Sequence, residues 1–107
     1  MSHDEYQAMP SRAELEQADA QGFVLQIAPE QGIRVSLAGT FDEVAMNGRF
    51  ECYSLLLALP EGVSLPSEVY RLFGPEGQQW LLLMTPVLPG ADGRHLLEAV
   101  IHREIAG

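Results

Sequence analysis

The chain has no lysine, one cysteine and no long apolar run, and each scarcity removes a class of function. Its six basic residues are all arginines: Arg12, Arg34, Arg49, Arg71, Arg94 and Arg103. Without a lysine amine there is no Schiff-base nucleophile and no phosphate-binding loop of the lysine type. Cys52 stands alone and makes no internal disulfide; set in an apolar strand pattern, it reads as a buried, inert thiol rather than a nucleophile. The apolar stretches fall far short of the roughly 20 residues that a membrane-spanning helix needs. Basic charge is also scarce: six arginines face 15 acidic residues, for a net charge of −9. A field of that sign repels phosphate backbones and anionic lipid surfaces, so neither nucleic acid nor a membrane is an expected partner. The acidity serves solubility, or it steers the chain to a basic partner. The opening Met1-Ser2-His3-Asp4-Glu5 is polar and acidic, unlike a secretory leader, and the expectation is a cytoplasmic protein of bacterial type.

Catalytic patterns are equally thin. His3 lies in the terminal segment, and His95 and His102 are seven residues apart, an odd step that turns them to opposite faces of a strand. No Cys/His/Asp/Glu grouping has zinc or iron spacing, so no metal and no cofactor is expected. Ser36, Ser54, Ser64 and Ser67 lack the Gly-x-Ser-x-Gly setting of a nucleophile elbow, and no Gly-x-Gly-x-x-Gly follows a strand. Glu98 sits between Leu97 and Ala99 in an apolar strand. It reads as a structural carboxylate, facing solvent or paired with an arginine such as Arg71 or Arg103, ahead of a catalytic acid with a raised pKa. A small enzyme built on Glu98 with His95 or His102 would need a cleft to gather them. Along an extended strand, Glu98 and His102 lie roughly 13 Å apart.

What the chain does carry is strand periodicity. At 107 residues, with 47% apolar content, it is long and apolar enough to bury a core without disulfides or metal. Residues 1–10 read as a loose polar tail, and residues 11–107 as a single β-rich domain. Ser11 followed by Glu14 is a capping-box pattern, opening a short helix that ends before Gly22. The period then switches to two. Phe23, Leu25 and Ile27 alternate with Val24 and Gln26, and after Pro29-Glu30-Gln31-Gly32 the residues Ile33, Val35 and Leu37 alternate with Arg34 and Ser36. Gly39 marks a bulge that lets this strand continue, and Asn47-Gly48 marks a tight turn. Further strands are expected over Arg49–Leu59, Glu68–Phe73, Gln79–Leu88 and Arg94–Arg103, the last two forming a hairpin around Pro89-Gly90-Ala91-Asp92-Gly93. The prediction is a mainly β fold: a small antiparallel barrel or sandwich of about six strands with one short N-terminal helix.

Two strands are apolar on both faces. Leu55, Leu57 and Leu59 oppose Leu56 and Ala58, and Leu81 and Leu83 oppose Trp80, Leu82 and Met84. An ordinary meander keeps one face polar. The second face must be covered by the helix, by closure of the sheet, or by another chain, which makes a protein partner or a homo-oligomer the expected kind of assembly. Leu55, Leu57, Tyr70, Phe73, Trp80 and Arg103 are the contact candidates, and each also fits a core role.

Several segments carry a resemblance: Phe23 after the helix; Phe50-Glu51-Cys52-Tyr53-Ser54-Leu55; Leu65-Pro66-Ser67-Glu68-Val69-Tyr70; Gly77 before Leu81-Leu82-Leu83-Met84-Thr85-Pro86-Val87; and Leu97-Glu98-Ala99-Val100-Ile101-His102-Arg103. Over residues 11–104 the pattern resembles a small bacterial family of unknown function, encoded beside phage-tail-collar-like proteins. Leu97 replaces the family's aromatic, His102 its usual polar residue, and Ser67-Glu68 is glycine-poor. The resemblance implies a fold and a context, and no catalytic residue. The function expected is a non-enzymatic interaction or accessory module, linked to a phage-tail-like or filamentous assembly. The alternative is a small β-barrel that binds an apolar ligand in its interior.

Overall fold

In a computed structural model the described residues are 9–43 and 50–104. The Asn47-Gly48 turn, His3, Arg49 and most of the tail expected over residues 1–10 lie outside them. The capping box forms. The Ser11 hydroxyl accepts from the Glu14 N–H at 3.0 Å, and the Glu14 carboxylate reaches back to the Ser11 N–H, opening helix α1 (Arg12–Gln17). Six strands follow: β1 (Phe23–Ala28), β2 (Gln31–Asp42), β3 (Phe50–Ala58), β4 (Glu68–Phe73), β5 (Gln79–Val87) and β6 (Leu96–Glu104). They close into an antiparallel barrel in the order β1-β2-β3-β6-β5-β4. Closure removes the free sheet edges that a sandwich would leave.

Two three-stranded meanders, β1-β2-β3 and β4-β5-β6, build this barrel and meet along the β1·β4 and β3·β6 seams. The middle strand of each serves two neighbours in succession. β2 pairs β1 through Gln31–Val35 and β3 through Ser36–Asp42, with a register shift between Leu37 and Gly39. β5 pairs β4 through Gln79–Met84 and then β6 through Thr85–Val87. The bulge at Gly39 is where the sequence places it, and a side chain there would press on the Phe41 ring, 3.2 Å from an added Cβ. The final hairpin turns at Gly93, whose φ of 84° is strained for any residue with a Cβ. Arg94 then clamps the ends of the β3·β6 seam, donating to the Leu59 carbonyl at 2.7 Å and the Ala58 carbonyl at 3.1 Å.

The core is the barrel lumen. Phe23, Leu25, Val35, Tyr53, Leu55, Leu57, Leu72, Trp80, Leu82, Met84, Leu97 and Ile101 belong to one buried cluster. Leu15 of α1 joins it, so the helix caps the barrel through one apolar side chain. The helix is also tied to β2. Arg12 pairs with Glu16 and Asp42 and donates to Thr40, whose hydroxyl in turn donates to Glu16 at 2.7 Å. That hydroxyl, with the Arg12 guanidinium adding to it, holds the Glu16 carboxyl below its ordinary value. Just before the helix, buried Pro10 accepts a 2.6 Å hydrogen bond from the Tyr53 hydroxyl, so the chain is anchored to the core from Pro10 onward.

Candidate functional site

The barrel decides which of the two apolar faces is inside. On β3 the lumen takes Tyr53, Leu55 and Leu57; on β5 it takes Trp80, Leu82 and Met84. Four of the six contact candidates are therefore core residues: Leu55 and Leu57 are fully buried, and Tyr70 and Trp80 are 4% exposed. Tyr70 also donates to the Pro66 carbonyl at 2.6 Å. Side chains packed this way present no free surface. The other two are half-buried: Phe73 stands in register with Val24 and Gln79, and Arg103 pairs with Glu51 at 2.9 Å.

The residues considered for chemistry are spread along one strand. His95 precedes β6 rather than lying in it, so the opposite-face relation expected for His95 and His102 does not apply; its carbonyl accepts from the Leu59 N–H. Glu98 is half-buried, in register with Leu56 on one side and Thr85 on the other. It pairs with neither Arg71 nor Arg103: Arg71 donates to Gln79, and Arg103 is taken by Glu51. His102 is exposed and stands opposite the half-buried Cys52. Among the described residues no group of three or more His, Cys, Asp or Glu is placed to hold a metal.

The outer wall is where unsatisfied apolar surface lies. Val69, Leu83 and Val100 are 60%, 62% and 61% exposed, and Phe41 and Leu81 are exposed by about half. Strand register organises them. Val69 stands opposite Leu83, and Arg71 opposite Leu81. Ser54 lies between Phe41 on β2 and Val100 on β6, and is buried although it faces outward. Sequence reasoning assigned Leu81 and Leu83 to one face of β5 but had no means to tell that face from the other. The available signal was Trp80: a large ring alternating with Leu82 and Met84 marks the side that fills space.

Beside this surface the wall parts. β1·β4 pairing stops at Gln26 and Arg71, although β1 runs on to Ala28 and β4 begins at Glu68. A shallow groove of about 260 Å³ opens there, with Ile27, Glu68, Val69, Arg71 and Leu81 among its lining residues. Carboxylates accompany the apolar residues: Glu43 two residues from Phe41 and Glu98 two from Val100, while Glu68 adjoins Val69 in sequence but alternates to the other face of β4, in register with Met84. None of these three enters an ion pair among the described residues.

A family described as Domain of unknown function (DUF6916) matches residues 10–101. The chain belongs to that family. The DUF6916 match spans α1 and five of the strands completely and enters β6 as far as residue 101, so it covers all of the barrel wall but the end of that strand. No curated protein and no solved structure matches the chain. Among the described residues no helix is long and apolar enough to cross a membrane.

Proposed function

We propose that this chain is a non-enzymatic protein-interaction or accessory module that works through the outer wall of its barrel. One observation carries the reading: Val69, Leu83 and Val100 expose about 60% of their surface on the outer wall, while the chain's own side chains fill the lumen. A protein that keeps aliphatic side chains this exposed on its outer wall has surface to offer a macromolecule. The packed lumen supports this reading over an interior ligand site, because a six-stranded barrel of this size is filled by its own side chains. The net charge of −9 favours a partner carrying basic residues. The resemblance to proteins encoded beside phage-tail-collar-like genes supports a phage-tail-like or filamentous assembly as the setting.

The test is affinity purification of the tagged chain from its own host at low and high salt. It is followed by reconstitution with the recovered protein in purified form. A defined complex of the two purified proteins, weakened by salt, is the expected result. Recovery of no protein that re-forms a complex in purified form would refute the reading.

A further inference from the structure

We propose that the outer face of β4, β5 and β6 binds an extended, aliphatic segment of a partner protein that also carries lysine or arginine. This rests on the interaction-module reading and names its surface and its partner's chemistry. Three observations converge. The first is alignment. Val69 stands opposite Leu83, and Val100 and Phe41 flank Ser54, so the register ladders align these exposed side chains in two pairs, one on each side of the β5–β6 seam. Thr85 pairs Glu98, and the next outward-facing positions in that same register are Leu83 and Val100. The row thus has two halves, Val69 with Leu83 on β4 and β5, and Val100 with Phe41 across Ser54, with Leu81 one step along β5 from Leu83. The outward face of an antiparallel sheet is normally polar, so such a row calls for a cover.

The second observation is the backbone. The β5·β6 ladder ends at Thr85 and Glu98, short of Leu83 and Val100. By contrast, the equivalent β2·β3 ladder of the first meander holds six pairs, from Asp42 and Tyr53 back to Ser36 and Ala58, against three for β5·β6. The two lips of the β5–β6 seam are therefore not laddered to each other at the level of the apolar row. An extended segment laid along this seam would meet strand edges that β5 and β6 do not ladder to each other, the mode in which backbone bonds supply affinity and alternate side chains supply specificity.

The third is charge, which selects the occupant. Glu43 and Glu98 border the row without ion pairs among the described residues, and Arg71, on the same face of β4 as Val69, donates to the neutral Gln79. A second copy would set these carboxylates against their own kind and join two chains of net charge −9. A segment with aliphatic residues toward the row and basic residues toward its rim meets both features.

The probe is a synthetic peptide of alternating valine and lysine of about 10 residues, long enough at about 3.3 Å per residue to cross the row. Two controls replace valine by serine, or lysine by glutamate. Binding is followed residue by residue by NMR on the isotope-labelled chain. Saturable shifts at Val69, Leu83, Val100 and Phe41 are expected, with affinity at least about tenfold weaker for either control. The double variant Leu83→Ser, Val100→Ser should lose about tenfold while keeping the parent's melting temperature. Equal binding of the serine peptide, or shifts centred elsewhere, would overturn the proposal. So would a doubled mass without peptide that the double variant abolishes, because the row would then be covered by a second copy. If a physiological partner binds the double variant as well as the parent, this surface is wrong and the module reading stands. If no partner exists, the module reading itself fails.

Discussion

Tyr53→Phe removes one oxygen atom from the middle of the barrel, and its effect can be worked through from the structure. The Tyr53 side chain is fully buried, and its hydroxyl donates to the Pro10 carbonyl at 2.6 Å. Phenylalanine fills nearly the same volume, so packing is kept, but the Pro10 carbonyl loses its donor inside a buried site. An acceptor stranded in that way costs about 1–3 kcal/mol. With a urea dependence of about 1–3 kcal/mol per molar for a small domain, the midpoint should fall by roughly 1 M at an unchanged slope. A loss under about 0.5 kcal/mol, within the range of a neutral surface change, would refute the claim that Tyr53 anchors the chain at Pro10.

The same variant has a pH signature. Burial raises the Tyr53 phenol above its ordinary value of 10.0. Above pH 10, then, the unfolded chain has released a proton that the folded chain still holds. The folded state binds more protons in that range, so stability falls as pH rises, by up to about 1.4 kcal/mol per pH unit for one such group. Below pH 10 the contribution is present in full. Phenylalanine has no proton to release, so the gap between parent and variant should narrow steadily above pH 10. Tyr70, also raised by burial, stays in both proteins and contributes equally to each. A gap that stays constant from pH 7 to pH 11 would show that the phenol is not held protonated by the fold.

Other substitutions separate wall from lumen. Leu57→Ala opens a cavity at a fully buried position and should cost about 2–5 kcal/mol in denaturant unfolding, whereas Leu83→Ser should stay within about 0.5 kcal/mol. Ser11→Ala removes the acceptor of the capping box and should cost about 0.5–2 kcal/mol, with the loss confined to signals of α1 in hydrogen exchange. Arg94→Lys keeps the charge but not the two-pronged grip on the Leu59 and Ala58 carbonyls; a loss of about 1–3 kcal/mol is expected by thermal unfolding. Gly93→Ala puts a Cβ on a residue with φ of 84° and should destabilise by about 1–2 kcal/mol, measured the same way.

Strand positions were legible in the sequence because each is written in local terms. Phe23, Leu25, Ile33 and Val35 alternate; Pro29-Glu30 and Pro89 to Gly93 punctuate; Gly39 admits the bulge; Ser11 and Glu14 form the cap. Partner choice was less legible. Nothing local says that β3 should leave β4, its successor, and pair with β6, yet that seam holds nine residue pairs, Phe50↔Glu104 through Ala58↔Leu96. Side choice failed for the same reason. A period of two divides β5 into Trp80, Leu82, Met84 and Leu81, Leu83, but the period is blind to which set meets the lumen. The bulk of Trp80 points to the inner set, and closure, a property of all six strands together, decides it.

That ambiguity bears on function. A sandwich and a closed barrel alike cover one face of each strand and leave the other outside, so a strand apolar on both faces keeps one apolar face at the surface. For β3 the outer face is nearly hidden within the chain: Ser54 and Ala58 are buried beneath their neighbours, and Leu56 is half-buried. For β5 it is not: β6 leaves its side after Glu98, and only Val69 of β4 stands beside Leu83. The difference between the two strands is thus the early end of one ladder. Longer β5·β6 pairing would bring Val100 against Leu83 and reduce the exposure of both, so the parted seam and the apolar row are a single feature of the fold. If Leu83 and Val100 serve no contact, replacing both by threonine should improve solubility and leave every partner's affinity unchanged, a result that would remove the physical basis for the proposed surface.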